Sequence, residues 1–188
     1  GIATVNIKDK PGGEYIISGS TTFTINPAEV TLTANSGTEA YDGTEKTLSG
    51  FTCSVDGLTF EGVSASGSGT EMGDYPVTFT GVTIGTTKDT SGNYVVTSTV
   101  NGTLTITPKP LTITAGSDTK VYDSTPLTKN SYTHTELLTG DKIEGITVTG
   151  SQTDAGTSDN VLSAAVIKNS NNDDVTANYD ITYTNGTL

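Results

Sequence analysis

Along most of this chain, apolar residues alternate one for one with threonine or serine. Val30-Thr-Leu-Thr-Ala34 and Leu111-Thr-Ile-Thr-Ala115 are the clearest runs. A period of two sends successive side chains to opposite faces of an extended chain. Each run therefore predicts a strand with one buried face and one wet face of β-branched hydroxyls. The pattern predicts further strands at residues 51–55, 62–65, 75–80 and 94–100, and again at 144–149 and 161–167. Asn101-Gly102 and Asn185-Gly186 lie between β-prone runs and predict hairpins, because both residues of such a turn need positive φ. No stretch carries the period of an ordinary helix. Residues 132–138 alone have room for a helical turn.

The pattern also repeats. Thr22-Phe-Thr-Ile-Asn-Pro27 returns 81 positions later as Thr103-Leu-Thr-Ile-Thr-Pro108, and 12 of 25 positions agree between residues 20–44 and 101–125. A long internal period means tandem copies of one unit. Each copy contains a Tyr-Asp-x-Thr turn, Tyr41-Asp-Gly-Thr44 or Tyr122-Asp-Ser-Thr125, whose Asp is expected to accept backbone N–H groups just ahead of it. The Tyr of each turn is expected at the rim of a core. The copies align again at Gly67/Gly150, Thr70/Thr153 and Gly73/Gly156, a tight connection.

These observations predict an all-β chain of two tandem β-sandwich-like (Ig-like) repeat domains with antiparallel sheets. A β-grasp arrangement is the alternative if residues 132–138 are helical. Residues 1–27 read as the C-terminal end of a preceding repeat, 28–108 as the first repeat domain, and 109–188 as the second, its last strand truncated. Pro108-Lys-Pro110 joins the two, and two prolines in three residues favour an extended, stiff link. The expected outcome is an elongated array.

Charge narrows the partners. The net charge is −12, all nine basic residues are lysines, and both repeats are acidic. Without arginine there is no fork for phosphate, and the field repels polyanions, so nucleic acid and anionic membranes are poor partners. No apolar run is long enough to insert into a membrane as a helix. The same charge favours a soluble monomer. The single cysteine, Cys53, alternates with Phe51 and Val55 and reads as a buried, inert thiol.

Candidate chemistry is sparse. His134, the single histidine, has no cysteine or second histidine to join it and no nucleophile motif nearby. The acids form no recognisable catalytic pair. Asn169-Ser-Asn-Asn-Asp-Asp174 is the one oxygen-dense run, yet it lacks the alternating ligands, glycine and closing glutamate of an EF-hand loop. Its main reading is a lengthened hairpin loop. If calcium binds, Asp173 and Asp174 are the expected ligands. Otherwise no cofactor and no catalytic residue is expected.

Several of these segments together resemble a family. Lys120-Val-Tyr-Asp-Ser-Thr-Pro-Leu-Thr128, Leu138-Thr-Gly-Asp141, Val148-Thr-Gly-Ser-Gln-Thr-Asp-Ala-Gly156 and Asp174-Val-Thr-Ala-Asn-Tyr-Asp-Ile-Thr182, with Asn185-Gly-Thr-Leu188, are similar to YDG and MBG (mucin-binding, glycine-rich) repeats. The second repeat matches throughout, whereas the first departs over residues 53–61. The resemblance implies a secreted, acidic tandem repeat at a bacterial cell surface or wall, with neighbouring repeats of the same parent chain as its partners. It is expected to act as a non-catalytic stalk or spacer. Adhesion to mucin or another host glycoprotein is the alternative, and an enzyme ranks last. Tryptophan, the usual platform for sugars, is absent, which weighs against lectin-like binding.

Overall fold

The computed structural model describes residues 2–8, 12 and 18–188. In chain order the strands are β1 (Ile2–Lys8), β2 (Ser18–Thr24), β3 (Ala28–Ala34), β4 (Gly37–Ala40), β5 (Lys46–Ser49), β6 (Phe51–Cys53), β7 (Ser64–Gly69) and β8 (Gly73–Thr80). Then come β9 (Tyr94–Val100), β10 (Gly102–Thr107), β11 (Lys109–Ala115), β12 (Tyr132–His134), β13 (Lys142–Thr149), β14 (Asp159–Lys168), β15 (Tyr179–Thr184) and β16 (Gly186–Thr187). The chain is all-β and sandwich-like. Among the described residues its sole helical element is a 3-10 turn at Thr176–Asn178. Residues 132–134 form strand β12, so the stretch with room for a helical turn is extended and the β-grasp alternative loses its helix. Part of the expected end of a preceding repeat, residues 1–27, lies outside the described residues.

The chain forms two compact units. One comprises residues 1–35, 49–66 and 77–102, and the other residues 36–48, 67–76 and 103–188. In the first unit, β3 lies between β6 and β9. Val30, Leu32 and Ala34 point inward as the alternation requires, and Val30 and Leu32 meet Val96 of β9. Phe51, Phe60 and Phe79 close over this cluster, with Phe51 and Phe79 ring centroids 5.5 Å apart. Cys53 borders it, half-buried.

The second unit repeats the plan. There β11 lies between β12 and β15, burying Leu111, Ile113 and Ala115. The sheets around β3 and β11 are mixed: β3 runs antiparallel to β6 but parallel to β9, and β11 runs antiparallel to β12 but parallel to β15. This corrects the expectation of purely antiparallel sheets. The remaining strands form sheets ordered β1-β2, β4-β10-β8-β7-β5 and β13-β14-β16, the order β7-β8-β10 of the second matching β13-β14-β16 of the third.

The Asn-Gly pairs are corrected too. β9 pairs with β3, whereas β10 pairs in parallel with β4, so the chain changes sheets at Asn101-Gly102 instead of folding back. β15 and β16 separate in the same way at Asn185-Gly186. Neither glycine has positive φ. A Cβ on Gly102 would lie 1.9 Å from the Asn35 carbonyl oxygen, and one on Gly186 would lie 2.3 Å from that of Gly116. Glycine is required at these corners by close backbone approach.

Candidate functional site

The two Tyr-Asp-x-Thr turns form as expected. The Thr44 N–H and hydroxyl both donate to Asp42 Oδ1, at 2.9 and 2.6 Å, and Lys46 Nζ reaches Oδ2 at 2.5 Å. Asp123 receives the Thr125 N–H at 2.9 Å and its hydroxyl at 2.7 Å. Its lysine, Lys120, comes from ahead of the turn and also donates to the Thr125 carbonyl. Each lysine, followed by the threonine donors, holds its carboxyl far below the usual range. The x position is left-handed in both turns, with φ +79° at Gly43 and +62° at Ser124.

The two tyrosines differ sharply. Tyr41 is 6% exposed and Tyr122 is 60% exposed, which corrects the expectation that both sit at a core rim. Within the second unit, the Tyr41 ring meets Tyr179 edge-on at 6.1 Å. The Tyr179 hydroxyl donates to Asp141 at 2.6 Å and accepts the Leu138 N–H at 3.1 Å. Asn178 is buried beside it; its Oδ1 accepts the Met72 N–H at 2.8 Å, and its amide donates to the Glu71 carboxylate. Burial raises both phenols. Glu71 and Asp141 add to the effect at Tyr41, and the bond to Asp141 adds to it at Tyr179. In the sequence Leu138, Asp141, Asn178 and Tyr179 lie in motifs of the second repeat, and nothing local points from them to Tyr41.

The oxygen-dense run is a turn whose residues 169–173 match residues 89–93. Asn169 Oδ1 accepts the N–H groups of Asn171 and Asp173, both at 2.9 Å, and Asn172 is left-handed where the first repeat has Gly92. Asp173 accepts the Asn169 amide at 3.2 Å, while Asp174 accepts the Thr176 N–H and hydroxyl. Asp173 and Asp174 are thus engaged in local turn contacts. No group of three or more His, Cys, Asp or Glu side chains among the described residues is arranged to hold a metal. His134 is exposed on β12, with Nδ1 2.7 Å from the Thr135 carbonyl oxygen.

No protein-family model, no curated protein and no solved structure matches this chain. Around Tyr41 and Tyr179, a ring pair, a buried amide and charge-assisted hydrogen bonds bring residues of the two sequence repeats together.

Proposed function

We propose that the chain is a non-catalytic, extracellular spacer module of a bacterial surface protein, built from repeats of the YDG/MBG type. The observation that carries this reading is the joint between the sequence repeats. One residue, Pro108, separates β10 from β11, and Tyr41, Glu71 and Met72 of one repeat lock onto Asn178 and Tyr179 of the next. A joint fixed by a ring contact and a buried amide resists bending better than a solvated linker, as a spacer needs. Its partners in this reading are neighbouring repeats.

Adhesion to mucin or another host glycoprotein is the competing reading, supported by the family resemblance. Binding to immobilised mucin and a glycan panel, with and without calcium, separates the two. A spacer shows no saturable binding at high micromolar concentration, and saturable binding would overturn that reading. Calcium held by Asp173 and Asp174 would raise the thermal midpoint. A midpoint indifferent to calcium and chelator removes that site.

A further inference from the structure

The second repeat carries its own copy of the surface that holds Asn178 and Tyr179. Tyr122 corresponds to Tyr41, Asp154 to Glu71 and Ala155 to Met72. Around Tyr122 lies an open groove of about 630 Å³, whose lining includes Ser117, Lys120, Gln152, Asp154, Ala155 and Leu188. Val121 beside it is 89% exposed.

The first repeat shows what such a surface receives. Residues 105–107 pair in parallel with residues 38–40, and Tyr41 is covered by Tyr179. The second repeat starts the same ladder: Thr187 N–H donates to Ser117 Oγ as Thr103 N–H does to Ser36 Oγ, and Asp118 N–H donates to the Thr187 carbonyl. Residues 119–121 are not in a strand.

We propose that the Tyr122 groove is a docking surface for a further repeat of the same kind, in tandem and in the orientation in which residues 109–188 follow the first repeat. Its entering strand, of the Thr-Ile-Thr pattern, runs parallel to residues 119–121. Its Asn-Tyr pair is then received twice over. The Asn amide accepts from Ala155 N–H and donates to Asp154, and the Tyr ring packs edge-on against Tyr122. This inference rests on the spacer reading and deepens it.

The test extends the full chain behind Leu188 with a second copy of residues 105–188. Hydrogen exchange at Val121, Tyr122 and Ala155 is expected to slow at least tenfold relative to the 188-residue chain. Tyr122→Ala should leave the melting temperature of the 188-residue chain unchanged and lower that of the extended chain by several degrees. Within the 188-residue chain, Asn178→Ala should speed exchange at Met72. Unchanged exchange at Ala155 in the extended chain, or at Met72 in the variant, overturns the proposal. An extended chain that ignores mucin yet leaves Tyr122 uncovered defeats docking and keeps the spacer; mucin binding defeats the spacer whatever Tyr122 does.

Discussion

At single residues, the matched repeats act as internal controls. Ser124 holds the left-handed conformation that Gly43 holds in the other turn, and such backbone costs an L-residue about 1–2 kcal/mol. Ser124→Gly is therefore expected to stabilise the chain by about 1 kcal/mol in urea unfolding, while Gly43→Ser destabilises it by a similar amount. Asn160 offers a second comparison. It is fully buried, and its amide donates to the Gly116 and Lys129 carbonyls at 2.9 and 2.7 Å. In the first repeat the corresponding position is Val77, and the amide comes instead from Asn35, which donates to Ser49. The polar group has changed strands while keeping its task of satisfying a carbonyl near the sheet corner. Asn160→Val should cost about 1 kcal/mol, because it removes the donor to two part-buried carbonyls but also removes a buried Oδ1 that accepts no hydrogen bond. The turns were legible because an Asx turn is closed by neighbours in sequence. The contrast between Tyr41 and Tyr122 was not, since burial there depends on Tyr179, far along the chain.

At the level of elements, alternation located the strands well. Val30, Leu32, Leu111 and Ile113 are buried as their period demands. It could not assign partners, because a strand that pairs in parallel with a distant segment has the same local pattern as one in a hairpin. At Gly102 the two uses of glycine diverge: it serves positive φ and close backbone approach equally, and sequence does not distinguish them. The distinction has a measurable consequence. Gly102→Ala should cost more than about 2 kcal/mol, since the added Cβ collides with a backbone carbonyl that cannot swing aside. Gly57→Ala, at φ +79° with open space around it, should cost only the left-handed penalty of about 1–2 kcal/mol. Comparable urea midpoints for the two variants would contradict the corner geometry.

For the whole molecule, the net charge of −12 and the Asp-capped turns pull stability in opposite directions as pH falls. Protonation relieves general repulsion among the acids, which favours the folded chain. Asp42, Asp89, Asp118, Asp123 and Asp174, however, all titrate below their ordinary range when folded, chiefly through hydrogen bonds from neighbouring side chains and backbone N–H groups. A group with a depressed folded pKa binds more protons when unfolded. Its contribution is therefore complete above about pH 4–5 and is lost as pH falls towards the lower folded value. Salt separates the two effects, because it screens repulsion over a Debye length but acts little on contacts at hydrogen-bond distance. The thermal midpoint at pH 7 should thus rise with moderate salt, while the decline below pH 4 persists. Replacing Asp42 and Asp123 together by Asn should lower the midpoint at pH 7 and make the acid decline shallower. At the other extreme, the raised phenols of Tyr41 and Tyr179 favour folding until the unfolded tyrosines ionise near pH 10, beyond which stability drops. Tyr179→Phe should flatten that alkaline loss. A loss as steep as that of the parent chain would place the sensitivity elsewhere than the contact between Tyr41 and Tyr179.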